Sequence, residues 1–203
     1  MKSVIVEIHC PVCMWHMQKT SDTLIIPEFE TDLKKLLMEG RYFHLHCPRC
    51  GTKIGYYHTC VYTDKKHGFV LMMKPEKEAK EADHHFYQGE QLKKRYVFCE
   101  EEIAEKISIL EAGLDDRVIE VLKLKVYIQA KKAGRKLDEI QFYDVDQDSE
   151  SIWFTAMEEE MQTMMAVTMQ SYQTLLKQLP KEDWDHFVSV DLSWALAYIK
   201  RQR

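Results

Sequence analysis

Cys10-Pro11-Val12-Cys13 and Cys47-Pro48-Arg49-Cys50 are two C-x-x-C turns that share Pro after the first cysteine, and their reading decides the fold. Two residues between cysteines let both sulfurs face one tetrahedral ion about 2.3 Å from each, and two such turns complete a four-sulfur site. Pro fixes one φ and removes a donor, leaving the later N–H groups of each turn free to point at thiolates. Gly51 follows the second pair and permits the positive φ that such a knuckle uses. Met14 stands at the matching place after the first pair, so the two halves are expected to be inequivalent.

Three roles are open to these cysteines. A lone C-P-x-C can be a dithiol that exchanges with disulfides, activated by a helix N-terminus in a βαβ setting. Here each pair follows a strand-like run and leads into more extended or turn-like sequence, which is the wrong setting for that chemistry. Unligated thiols are the third reading. The paired spacing favours one structural Zn²⁺ per chain held by Cys10, Cys13, Cys47 and Cys50. Four thiolates leave no position for water or substrate, so the ion is expected to stabilise and not to catalyse.

The gap between the knuckles is longer than a minimal zinc ribbon requires, and its sequence shows what fills it. Val4, Val6 and Ile8 alternate as a strand running into the first knuckle. Asp32 to Met38 reads as a short helix, with Thr31 as its cap and Gly40 as its stop. Tyr42 to His46 reads as the strand that delivers the second knuckle. Lys53 to Tyr62 and His67 to Lys74 read as a hairpin about the Thr63-Asp64-Lys65-Lys66 turn.

These residues together resemble the CpXC domain family. The likeness is carried by the two CPxC motifs, the Leu33-Lys34-Lys35-Leu36-Leu37-Met38-Glu39-Gly40 segment, the His46-Cys47-Pro48-Arg49-Cys50-Gly51 knuckle and Tyr62-Thr63-Asp64. It continues through Glu105 to Glu120, so that it covers about the first 130 residues. The resemblance implies a bacterial or archaeal metal-binding module with Cys10, Cys13, Cys47 and Cys50 as ligands, and it supplies no activity. Family members usually carry Gly where this chain has Met14.

Beyond the ribbon, residues 75–91, rich in Glu76, Lys77, Glu78, Lys80, Glu81 and Asp83, read as a solvated connection. Arg95 to Phe98 reads as a short strand. Glu100-Glu101-Glu102 opens a helix with negative charge at its positive end, and Gly113 stops it. Asp115 is placed to cap a second helix, although Leu122, Leu124, Val126 and Ile128 also alternate as a strand would. Ile140 to Phe142 and Ile152 to Thr155 suggest a hairpin about the acidic turn Asp144 to Glu150. Strands are expected through Met169, then a helix from Ser171 to Leu179 and another from Asp191 to Arg203. The competing reading is one long helix with Met157, Met161, Met164, Met165, Tyr172, Leu175, Leu176 and Leu179 on a single stripe. The fold class expected is α+β: a CpXC zinc-ribbon-like part with two following helices, residues 1–136, and a small C-terminal α+β part, residues 137–203.

Other groups have ordinary readings. Cys60 and Cys99 are left over and read as small buried apolar side chains. His9 and His46 precede the knuckles and can serve as substitute ligands, but four cysteines already suffice. Asp83-His84-His85 reads as exposed loop, and the methionines from Met157 to Met169 as core fillers. Lys93-Lys94-Arg95 and Lys131-Lys132 with Arg135-Lys136 are the dense basic runs, read as solvated faces. They are also the nearest thing to a nucleic-acid footprint, which Tyr56, Tyr57, Tyr62 and Phe69 would complete by stacking.

The 203-residue chain is 45% apolar and 30% charged, which excludes a fibrous or wholly disordered protein. Its net charge of -5 disfavours a surface given over to nucleic acid or anionic membrane. With no apolar run long enough for a leader or a spanning helix, the cytoplasm is the expected compartment. Six cysteines there read as thiols or ligands. No G-x-S-x-G, P-loop, dinucleotide fingerprint or H-E-x-x-H motif supports an enzyme. The expectation is a metal-organised surface that binds a protein partner, with a nucleic-acid-binding ribbon and a CPxC redox protein as alternatives.

Overall fold

The knuckles are the turns of two hairpins. In the computed structural model, which describes residues 3–75, 83, 85 and 87–202, Ser3–His9 (β1) pairs antiparallel with His16–Asp22 (β2), and the turn between them is the first CPxC. After Leu24–Ile25 (β3) and the helix Thr31–Met38 (α1), His44–His46 (β4) pairs antiparallel with Lys53–Gly55 (β5) around the second. The sequence showed β1 by its alternation but not β2, whose seven residues are mostly polar and exposed. Glu30, not Thr31, occupies the position before α1. No side chain caps the helix start, and the Glu30 carboxylate instead accepts from the Ile26 N–H at 2.8 Å. Gly40 ends the helix region at φ 62°, as its freedom at positive φ predicts.

The expected single strand over Lys53–Tyr62 divides. Its first residues stay with β4, and Cys60–Asp64 (β6) joins a different sheet with Phe69–Met73 (β7), Lys93–Val97 (β8) and Val188–Ser189 (β12), in the order β12-β8-β7-β6-β3. Tyr56 makes the switch: it is buried, and its hydroxyl donates to the Tyr42 carbonyl at 2.7 Å. The β6–β7 hairpin forms as expected, with β3 and β8 added parallel on either side. All five residues of β7 are buried, the apolar run of a strand covered on both faces.

The rest builds around one helix. Glu100–Glu111 (α2) leads to Gly113 at φ 71° and then to Asp116–Lys132 (α3), where the Asp115 carboxylate accepts from the Arg117 N–H at 3.0 Å as an N-cap. Glu139–Asp146 (β9), Ser151–Glu158 (β10) and Met161–Thr168 (β11) form an antiparallel meander. Met169–Leu176 (α4) follows, capped by Thr168, and Leu192–Arg201 (α5) is capped by Asp191. Val118, Ile119 and Leu122 of α3 share a core with Ile152, Phe154 and Ala156 of β10, Tyr172 and Leu175 of α4, and Ala195 of α5.

The strands expected through Met169 form as β10 and β11, and burial along β10 alternates with the period of a strand, so the competing Met-striped helix is not adopted. Two expectations are corrected here. Met161 and Met164 lie exposed on β11, while Met165 and Met169 pack against the core. The helix expected from Ser171 to Leu179 starts two residues earlier and ends three earlier, from Met169 to Leu176, because Thr168 supplies the cap and its hydroxyl accepts from the Ser171 N–H.

The chain forms two compact units, Met1–Ala104 with Asp183–Val188, and Glu105–Glu182 with Ser189–Arg203. This partition differs from the one drawn by composition at 136/137. The apolar residues of α3 are grouped with β9, β10, α4 and α5, so the helix belongs to the second unit.

Candidate metal centre

Both knuckles have the same backbone. The Cys10 N–H donates to the Trp15 carbonyl at 2.9 Å and the Met14 N–H to the Cys10 carbonyl at 3.0 Å. In the second, the Cys47 N–H donates to the Thr52 carbonyl at 2.8 Å and the Gly51 N–H to the Cys47 carbonyl at 2.9 Å. Met14 takes φ 58° where Gly51 takes 74°, so the inequivalence expected from Met14 is absent from the chain path. It resides instead in strain, since a left-handed conformation costs a non-glycine residue roughly 1–2 kcal/mol.

The hairpins bring the four sulfurs into one cluster. Cys10 Sγ lies 3.5 Å from Cys50 Sγ and Cys13 Sγ 3.6 Å from Cys47 Sγ, each contact crossing from one knuckle to the other. All four ligand atoms fall within 4.8 Å of one another. A tetrahedron with metal–sulfur bonds of about 2.3 Å has edges of about 3.8 Å, so the cluster has the dimensions of a four-thiolate ion site. All six cysteines are free of disulfides.

Electrostatics point the same way. The Thr52 hydroxyl lies 3.2 Å from Cys50 Sγ, and this contact, with the Thr52 N–H and the neighbouring Cys10 and Cys13 thiols, lowers the Cys50 pKa to about 6. At Cys13 the Trp15 N–H pulls the other way, but burial and the thiols of Cys50, Cys10 and Cys47 outweigh it and raise the thiol to about 12. One sulfur ionises readily and another resists, as expected of crowded thiols that need a cation before all can become thiolates. The donor set is soft and contains no oxygen or nitrogen, which suits a tetrahedral thiophilic ion.

Buried Cys10 and Cys47 join Ile8, Ile54 and Tyr56 in a small core of their own, with Val6, Met17 and Leu45 packed against it. The rim is exposed: Val12 and Met14 are 68% and 72% accessible, and the Arg49 guanidinium sits 5.8 Å from the centroid of the Trp15 ring, linking one knuckle to the next. Sequence reasoning missed Thr52 and the Arg49–Trp15 contact. A hydroxyl two residues after a knuckle cysteine is a signal for the first, and nothing local announces the second.

The remaining candidates fall elsewhere. His9 and His46 are exposed and outside the four-sulfur group, and the His9 ring lies against His16. Cys60 is fully buried and its thiol is pushed up to about 12 by desolvation, the inert state expected of it. Cys99 is only half-buried, and desolvation leads in raising it to about 11. Asp83 is a correction: instead of lying in an exposed loop it is buried, accepting from Lys74 Nζ and from the Tyr96 hydroxyl. His85 is exposed, while His84 and the charged residues Glu76, Lys77, Glu78, Lys80 and Glu81 lie outside the described residues.

The first basic run is also corrected. Lys94 and Arg95 are fully buried, Lys94 Nζ donating to the Trp184 and Glu90 carbonyls and Arg95 to the Lys94 carbonyl, so they form no solvated face. Lys131, Lys132, Arg135 and Lys136 are exposed, and Arg135 is paired with Glu158 at 2.6 Å. Tyr56, Tyr62 and Phe69 are buried, leaving Tyr57 as the exposed member of the proposed stacking set.

The family model for CpXC protein matches residues 8–123, more than half of the chain and inclusive of all four knuckle cysteines. The chain belongs to that family. No curated protein matches it, and no solved structure matches it. Among the described residues no helix is long and apolar enough to cross a membrane.

Proposed function

We propose that this member of the CpXC family is a non-enzymatic interaction protein in which one structural zinc ion, held by Cys10, Cys13, Cys47 and Cys50, organises a surface that binds a protein partner. The observation that carries the reading is the closed four-sulfur cluster with an exposed apolar rim. Four thiolates fill a tetrahedral sphere and leave no open position for substrate, so the site's contribution is shape. Val12, Met14 and Trp15 project from turns whose backbone the ion would lock, and rigid exposed apolar side chains are what protein interfaces use. Zinc is the ion of choice because it has no redox chemistry and favours this geometry with thiolate ligands. The reducing cytoplasm is the compartment in which six disulfide-free cysteines persist.

The test compares partners recovered by the metal-loaded protein and by Met14→Asp and Trp15→Ala variants of equal metal content. A protein retained by the wild type and lost from both variants supports the reading. Equal recovery by the variants, or turnover found in a broad substrate screen, overturns it.

A further inference from the structure

Beside the metal centre lies a second feature to which the knuckle cysteines do not contribute. A cavity of about 420 Å³ opens between the β2 strand, α1 and the β4–β5 hairpin, and Lys19, Arg41, His46 and Lys53 line it. Its size falls in the range of small-molecule sites, roughly 300–1,000 Å³. We propose that this cleft binds a phosphate-bearing small molecule.

The charge pattern carries the argument. In a chain of net charge -5, three permanent cations and two imidazoles, His44 and His46, converge on one concavity whose single acidic lining residue is Asp22. Two of the three cations are uncommitted. Arg41 donates to Glu39 at 2.9 Å, and His44 Nδ1 lies 3.1 Å from the buried Glu100 carboxylate. Lys19 and Lys53 have no ion-pair partner among the described residues. Two free ammonium groups in a concave wall, with an imidazole directly across the ladder from one of them (His46 opposite Lys53), suit a dianion better than a single carboxylate.

The floor is preorganised. Tyr42 and Tyr56 are 5% and 6% accessible, and their hydroxyls are already engaged, Tyr42 donating to the Asp22 carbonyl at 2.7 Å and Tyr56 to the Tyr42 carbonyl at 2.7 Å. They hold the walls and leave recognition to the rim. Leu33 and Leu36 of α1 supply an apolar side to the same cavity, against which the organic portion of a phosphorylated ligand can rest. His46 and Lys53 flank the second knuckle in sequence, so the hairpin that presents them is the one that the metal centre closes.

The test titrates inorganic pyrophosphate into the full-length, metal-loaded protein by calorimetry, with Lys19→Gln, Lys53→Gln and the distant Lys132→Gln as a control. Pyrophosphate should bind with one-to-one stoichiometry. Each cleft substitution should weaken it about tenfold, the loss of one hydrogen bond to a charged group, while the control leaves it unchanged. All three lysines are exposed, so the variants retain the fold, and equal metal content confirms it. Absent binding, or equal weakening by Lys132→Gln, overturns the proposal. A parallel titration with single-stranded oligothymidylates separates the ligand's source: affinity that rises with chain length and is lost in the cleft variants overturns the small-ligand assignment in favour of a polynucleotide.

Discussion

Met14 shows how one side chain departs from what its backbone requires. It sits at φ 58° in a turn whose hydrogen bonds match those around Gly51, and its side chain is 72% exposed, so no packing compensates the strain. Met14→Gly should therefore stabilise the metal-loaded protein by about 1 kcal/mol in urea unfolding, less any gain in unfolded-chain entropy. His58 belongs to the same scale. Its Nδ1 lies 3.0 Å from the Thr59 carbonyl, which can only accept, so Nδ1 carries the proton and Nε2 takes one from the Ser21 hydroxyl at 2.8 Å. Desolvation lowers its pKa below 6.5, so between the folded and unfolded values the unfolded chain binds more protons. Its contribution is complete above pH 6.5 and declines as pH falls below it. Urea midpoints measured at pH 7.5 and 5.5 should fall less in His58→Gln than in the wild type; an equal fall would contradict the assignment. At this scale the clustering of Cys10, Cys13, Cys47 and Cys50 was legible, because paired C-x-x-C spacing is displayed openly in the chain. The positive φ of Met14 was hidden, because nothing about methionine announces it.

At the scale of elements, α3 explains both what could be read and what could not. Residues 114–124 are buried without interruption and show no amphipathic period, while Leu122, Leu124, Val126 and Ile128 alternate like a strand with Lys125 and Tyr127 exposed between them. Asp115 and the family likeness together decided for helix, and Asp115 caps α3 as read. The failure at β2 is the reverse case: a mostly polar strand whose inward face carries Met17, Lys19 and Ser21 shows no apolar alternation to detect, and its existence follows only from pairing with β1. Likewise no local feature marks where the run from Lys53 to Tyr62 leaves one sheet for another. The buried polar face of α3 carries a prediction of its own. Lys106 Nζ lies 3.3 Å from Asp116 and 3.1 Å from Glu120, while Lys123 Nζ donates to both Glu105 oxygens at 2.9 Å, with all of these charged groups buried or nearly so. Removing one partner strands the others, so Lys106→Met should cost about 3–5 kcal/mol in equilibrium unfolding, and a cost below about 1 kcal/mol would show that the network is dispensable.

For the whole molecule, the proposed metal and the apolar cores would divide the task of holding the fold. The second unit has an extensive core drawn from α3, the β9–β11 meander, α4 and α5. The knuckle hairpins have a small one in which Cys10 and Cys47 are themselves members, so its integrity and that of the metal centre are one property. A structural zinc is worth about 10–16 kcal/mol in small peptides, comparable to a domain's entire stability. Chelation should accordingly abolish hydrogen-exchange protection in β1, β2, β4 and β5 while β9 and β10 keep theirs; retained protection in the hairpins would mean that the ion does not hold them. The measurement that bears most directly on the central claim is elemental analysis of protein purified without chelator, combined with site-resolved alkylation before and after metal removal. About one zinc per chain, with Cys10, Cys13, Cys47 and Cys50 alkylated only after chelation, is the expected result. Metal-free protein with Cys10 joined to Cys13, or Cys47 to Cys50, would contradict the account and make thiol–disulfide chemistry the function to pursue.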